Sequence, residues 1–152
     1  MSPGETTPWC GGSIITSRHI LTAAHCTFDK TVNEAKLPGS IHVLIGEHDV
    51  SDSLDASIFT VSSIYNHPAF DYNGGDYDVS IMSLTLQITF SSSASPICLP
   101  ASVTSLYTGQ VATVTGWGDT SSGGSPSPTL QEVEVTVVSN EDCRTSSNEI
   151  KE

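Results

Sequence analysis

Residues 10–26 read CGGSIITSRHILTAAHC, and this stretch decides the fold class. GSIITS (12–17) and HILTAA (19–24) are short runs of apolar and β-branched residues on either side of Ser17-Arg18. They read as two antiparallel strands joined by a turn, because the spacing of apolar residues follows no helical period. The second run ends in Ala23 and Ala24, whose small side chains let the backbone turn tightly, and then in His25 set against Cys26. An ionisable imidazole fixed beside a cysteine is an unusual place to end a strand.

The same pattern continues outward. IHVLIG (41–46), SIFTVSSIY (57–65), DVSIMSL (78–84), VATVTGWG (111–118) and LQEVEVTVV (130–138) are further strands. In the last of them Val133, Val135 and Val137 point to one face, and Glu132, Glu134 and Thr136 to the other. Between the strands lie loops: 28–40, 47–57, 66–77 and the Ser/Gly/Pro-rich 119–128. Short strands at this spacing imply an antiparallel barrel or sandwich. The stretch 91–109, with Pro96 and Pro100 and a serine run, reads as an extended crossing segment. Only two good strands follow it, too few for an independently stable sheet. They are expected either to join the first sheet or to pair with strands beyond residue 152.

The length of 152 residues fits one ordinary domain. Acidic residues outnumber Lys plus Arg by 17 to 5, for a net charge of −12. Such a field repels phosphates and anionic lipid, so nucleic-acid binding and polybasic membrane binding are excluded as functions. No apolar run reaches the roughly 20 residues of a membrane span. The start, MSPGETTPWCGG, has neither the charged nor the apolar region of a signal peptide. Yet Cys10, Cys26, Cys98 and Cys143 lie in a loop-rich β sequence without CxxC spacing, which favours disulfides and an oxidising compartment over zinc. The expectation is therefore an extracellular protein whose true beginning precedes residue 1.

Four segments together resemble the trypsin/chymotrypsin family of serine endopeptidases, in that family's own order. CGGSIITSRHILTAAHC resembles its histidine segment, and DVSIMSL, starting at Asp78, its aspartate segment. SPICLP (95–100) resembles the segment between its two barrels, and TGWGDT (115–120) a signature at the start of the second. The resemblance implies an all-β, chymotrypsin-like fold built on six-stranded antiparallel barrels. The chain is expected to be a single incomplete domain, 1–152. In it, about 8–95 form a nearly complete first barrel, 96–109 the inter-barrel segment, and 110–140 the first two strands of a partial second barrel.

The implied activity is hydrolysis of internal peptide bonds, with protein or peptide substrates and protease inhibitors as partners and no cofactor. In a Ser-His-Asp triad the histidine takes the nucleophile's proton and returns it to the leaving group, a role that needs a fixed tautomer. The resemblance assigns that role to His25 and the orienting carboxylate to Asp78. Asp71 and Asp76 are rivals, but the family motif starts its apolar strand immediately after the functional acid, which selects Asp78. It also pairs Cys10 with Cys26 and leaves Cys98 and Cys143 as unpaired thiols. At the position four before Gly116, where the family often carries another cysteine, stands Ala112.

The family's nucleophile sits in a GDSGGP-like segment, and the nearest match here is SGGSP at 122–126. It lies four residues past Gly118 in a stretch that reads as a surface loop, so Ser122 is not expected to be the nucleophile. Ser13 belongs to a strand and reads as structural. The nucleophile, oxyanion hole and specificity pocket are thus expected to be absent, and the chain alone inactive.

Weaker signals remain. Glu47, Asp49, Asp52 and Asp55 crowd the loop 47–57, where some family members bind calcium through carboxylates and carbonyls. Leu54 and Ser57 fall near expected ligand positions, so a solvated acidic loop is the preferred reading and calcium the alternative. His42 and His48 have no third ligand converging in sequence and read as surface or strand residues. Trp117 reads as packing, and Trp9, by resemblance, lines the leaving-group side of a cleft. Two other functions stay open at this point. One is a non-catalytic, secreted protease-like binding module; the other is a metal-binding protein using His25, Cys26 and nearby acids.

Overall fold

Alternation along the strands determines how the sheet packs. In Ser80–Leu84 every second side chain, Ser80, Met82 and Leu84, is buried, while Ile81 and Ser83 are half-buried. That period of two is what a strand with one face on a core requires. The computed structural model of the chain describes residues 8–51, 56–102 and 105–146. Its strands are β1 (Ser13–Ile14), β2 (His19–Thr22), β3 (Phe28–Asp29), β4 (Glu34–Ala35), β5 (His42–Ile45), β6 (Ser57–Asn66), β7 (Ser80–Leu84), β8 (Val111–Gly116) and β9 (Gln131–Thr136). One short helix, α1 (Asn140–Ser146), follows β9.

The chain divides into two units, Met1–Leu99 and Pro100–Glu152. The first is built on an antiparallel sheet in the order β1-β2-β7-β6-β5, so that five strands of the expected six-stranded barrel are present among the described residues. It curls into a half-barrel. The bend has a visible origin: the register between β6 and β7 shifts between Val61 and Ser63, an irregularity that increases local twist. Inside the curl lie Ile20, Ile41, Ile45, Val61, Met82, Leu84, Ile88 and Ala94, with Ile14, Val43, Phe59 and Ile64 packed against them. β1 and β2 form the expected hairpin, pairing Ser13 with Leu21 and Ile14 with Ile20.

Just before β1 the backbone of Gly12 lies against β2. A Cβ there would stand 2.7 Å from Ile20 Cγ2 and 3.1 Å from the Leu21 carbonyl oxygen. The neighbour is a core side chain with nowhere to retreat. Gly12→Ala is therefore expected to lose about 1–3 kcal/mol of folding stability through overpacking, read from a urea melt. An unchanged midpoint would contradict this close approach.

The loop 28–40 is not wholly irregular, as the sequence reading had it. Phe28 and Asp29 pair with Ala35 and Glu34 to make a two-residue ladder, turned by Asn33 at φ 56°. In the second unit β8 and β9 pair along six positions from Val111↔Thr136 to Gly116↔Gln131. Val114 and Val133 oppose each other, as do Ala112 and Val135, so the apolar side chains do share a face. On that face Val114, Val133 and Val135 are exposed and Ala112 is half-buried. The loop between the two strands is closed by an Asp119↔Pro126 bridge.

Candidate active site

The register of one strand pair creates the site. Thr22, the last residue of β2, faces Ser80, the first of β7. The end of one strand and the beginning of its neighbour therefore lie side by side. After β2 the chain enters a 3₁₀ turn over Ala24–Thr27, entered by the Cys26 N–H donating to the Ala23 carbonyl at 3.2 Å. Ala24 is fully buried, so only a small side chain fits there, and the turn swings His25 back towards the residue preceding Val79.

That residue is Asp78, and both its oxygens are used. The His25 backbone N–H donates to Oδ1 at 2.8 Å, and the His25 ring nitrogen Nδ1 lies 2.7 Å from Oδ2. An ionised carboxylate only accepts, so Nδ1 carries a proton, and in the neutral ring Nε2 is the nitrogen that keeps its lone pair. The imidazole is 55% exposed and the carboxylate 30%. Burial acts to raise the Asp78 pKa, but hydrogen bonds from the His25 ring and backbone, the His25 charge and the Ala24 N–H outweigh it. The carboxyl is held below its ordinary value.

A carboxyl depressed in the folded state stabilises the fold above its unfolded pKa, near 4, and loses that contribution as pH falls through the lower folded value. The stability gap between the native chain and Asp78→Asn is therefore expected to shrink as pH falls below about 4. Urea melts across a pH series measure it; a gap independent of pH would contradict the pairing.

The ground beneath this pair is polar and closed. Thr27 and Ser80 are each 1% exposed. Thr27 Oγ1 donates to Asn66 Oδ1 at 2.6 Å, with the Ala24 carbonyl at 3.0 Å and Ser80 Oγ at 3.3 Å. This buried group ties the histidine turn to β6 and β7 at once. An aromatic cluster does the same on the next side: the Phe28 ring lies 5.5 Å from Phe70 edge-on and 5.5 Å from Tyr72 stacked. The loop that delivers Asp78 is thus packed onto the segment that follows His25.

Cys10 and Cys26 are joined, with Cα atoms 6.1 Å apart and a sequence separation of 16. The bridge fastens the segment before β1 to the turn that carries His25. Trp9 lies on this bridge, its Nε1–H donating to the Cys26 carbonyl at 3.4 Å, with Lys36 Nζ 4.5 Å from its ring centroid. Cys98 and Cys143 are free thiols.

The Trypsin family model matches residues 2–152. The chain belongs to the trypsin family of serine proteases. It is 38% identical to Trypsin-1 of Astacus astacus over 90% of this chain and 56% of that protein. It is 34% identical to a venom serine protease of Polistes dominula over 95% of this chain and 50% of that protein. To the serine proteinase stubble of Drosophila melanogaster it is 36% identical over 92% of this chain and 17% of that protein. The chain thus spans about half the length of the first two relatives.

Within the trypsin-family reading, the structure brings His25 and Asp78 together and keeps the rival Asp71 elsewhere, where its carbonyl and carboxylate accept from Gly75 and Asn73 in the loop. Asp76 closes that same loop, its carbonyl accepting from the Asp71 N–H. Ser122 stands in the turn between β8 and β9, and Ser13 on β1. In the acidic loop Glu47 Oε1 accepts from the His48 and Asp49 N–H groups, while Oε2 is buried with no partner. Asp49 is occupied by the Ser51 hydroxyl and N–H, which hold its carboxyl below the ordinary value. An orphaned buried oxygen fits a cation ligand; Asp52, Leu54 and Asp55 lie outside the described residues. Sequence reasoning missed Thr27, Asn66 and Ser80, since three hydroxyl and amide residues scattered over 53 positions carry no motif.

Proposed function

We propose that this chain supplies the proton-transfer half of a secreted serine endopeptidase. His25 is the general base and acid, and Asp78 is the residue that orients it. The observation supporting this reading is the two-point hold of Asp78 on His25, which fixes the ring's position and leaves Nε2 as the acceptor. In the reaction Nε2 takes the proton of an attacking serine hydroxyl as that oxygen adds to the peptide carbonyl, then passes it to the departing amine. Asp78 stays ionised and stabilises the imidazolium through Nδ1–H. Protein and peptide substrates follow from the family. Trp9, beside the bridge, lines the leaving-group side. Among the described residues no helix is long and apolar enough to cross a membrane. The Cys10–Cys26 bridge supports an oxidising, extracellular setting.

The nucleophile is not among these 152 residues in this reading, since no GDSGGP-like run occurs and Ser122 lacks the preceding Asp-Gly. The 152-residue chain by itself is then expected neither to cleave peptide amides nor to take up a fluorophosphonate probe, which reacts only with an activated serine. Mass-spectrometric detection of the probe on Ser122, or on any other serine of this chain, would overturn the assignment.

A further inference from the structure

The loop that delivers Asp78 is pinned at its base and open at its tip. At the base the Asp71 N–H donates to the Asp76 carbonyl at 3.1 Å, and the Gly75 N–H to the Asp71 carbonyl at 2.8 Å. Asn73 and Gly74 form the tip, and both are exposed. The Asn73 N–H is held by Asp71 Oδ1 at 2.9 Å. Among the described residues, neither the Asn73 side-chain amide nor the Gly74 N–H has a hydrogen-bond partner. We propose that Asn73-Gly74 is a modification site, at which the folded protein converts Asn73 to aspartate and isoaspartate through a succinimide ring.

Ring closure needs the nitrogen after the asparagine to be free to turn onto the asparagine side chain. A nitrogen spent in a ladder or turn hydrogen bond is not free; that of Gly74 is spent in neither. Glycine has no side chain to block the approach, and its backbone reaches conformations closed to other residues. A Cβ at this position would stand 2.9 Å from Asp71 Oδ2 and 3.6 Å from Asp76 Oδ2. Two carboxylates, which accept protons and donate none when ionised, thus flank the residue whose nitrogen must give up its proton. No other asparagine of the chain is placed this way: Asn33 and Asn140 precede glutamate, and Asn66 precedes histidine. Asn66 is further engaged by the Thr27 hydroxyl.

The step conserves atoms and involves no redox change. The Gly74 nitrogen forms a bond to Asn73 Cγ, the Cγ–Nδ2 bond breaks, and the amide nitrogen leaves as ammonia with the Gly74 proton. Water then opens the ring. Addition at Cγ restores the ordinary backbone and leaves aspartate; addition at the backbone carbonyl leaves isoaspartate, whose chain runs through Cγ. Either product sets a new negative charge in a loop that already holds Asp71 and Asp76, where like charges repel. The site stands whether or not the proteolytic reading does.

The test incubates the full chain, with its bridge intact, in mildly alkaline buffer and follows it by peptide mapping with mass spectrometry. A parallel sample unfolded in guanidinium chloride shows what the sequence does without the fold. In the folded sample residue 73 is expected to exchange its side-chain NH₂ for OH. Its peptide is expected to split into two isomers, of which only the aspartate form is cut by an Asp-specific endoproteinase. Gly74→Ala is expected to suppress the conversion, and Asn33, Asn66 and Asn140 are expected to stay intact. Asn73 unchanged in the folded chain at a time when the unfolded sample has converted would overturn the proposal. So would conversion of Asn33 or Asn140 in step with Asn73, or conversion undiminished in Gly74→Ala.

Discussion

Asp78→Asn is expected to lower kcat by about 10⁴-fold in a complete trypsin-family domain assembled from this chain and the remaining half of Astacus astacus Trypsin-1, the magnitude that family geometry carries for this change. The reason is a tautomer. Asp78 accepts at both oxygens, from the His25 backbone N–H and from Nδ1–H. An asparagine in the same place can present its NH₂ to Nδ1, which drives the ring proton to Nε2. The ring then stays in position but has no lone pair aimed at a serine hydroxyl. Because the loss falls on proton transfer, kcat is expected to carry it, with KM little changed. A decrease of less than about tenfold would show that Asp78 does not set the tautomer.

The second large effect concerns the bridge. Replacing Cys10 and Cys26 together by serine is expected to cost about 3 kcal/mol of folding stability, from the chain entropy restored to an unfolded loop of this size. At a urea slope of about 1–3 kcal/mol/M the midpoint falls by roughly 1–3 M. That is a large share of the stability of an ordinary domain. The loss concentrates at the histidine turn, since Cys26 immediately follows His25 and Cys10 precedes the two-residue strand β1. Circular dichroism during the melt measures it, and a shift of less than about 0.3 M would mean that the turn holds without its bridge.

How much of this could be read from the sequence differs from residue to residue, for physical reasons. β2 and β7 were legible because a half-buried strand writes itself as alternation, which Ile20 and Thr22, and Ser80, Met82 and Leu84, obey, while β5 and β6 were legible as short apolar and β-branched runs between turn residues. Their partners were not legible. Nothing local states that β7 lies between β2 and β6, and it is that order which brings Asp78 to His25 across 53 residues. The His25–Asp78 pair was reached through family resemblance, not through spacing. β3 and β4 escaped because two-residue strands, Phe28–Asp29 and Glu34–Ala35, are too short to show a period.

α1 escaped although a signal was present. Ser139 and Asp142 form a reciprocal cap, with the Asp142 N–H donating to Ser139 Oγ at 3.0 Å and the Ser139 hydroxyl donating to Asp142 Oδ2 at 2.7 Å. The Ser-x-x-Asp spacing that writes this cap is readable at 139–142. In β9 the alternation sorted the faces correctly, with Val133 and Val135 on one side. Alternation alone does not say that a face is covered, and within its own unit this one is not.

The claim on which the account turns is that Asp78 holds the His25 ring with its proton on Nδ1 and its lone pair on Nε2. Nitrogen-15 NMR of the histidine rings, comparing the native 152-residue chain with Asp78→Asn, tests this directly. Above the imidazole's titration the native His25 is expected as the Nδ1–H tautomer, with a strongly downfield Nδ1 proton that disappears in the variant. A native His25 protonated on Nε2, or a ring spectrum unmoved by Asp78→Asn, would contradict it.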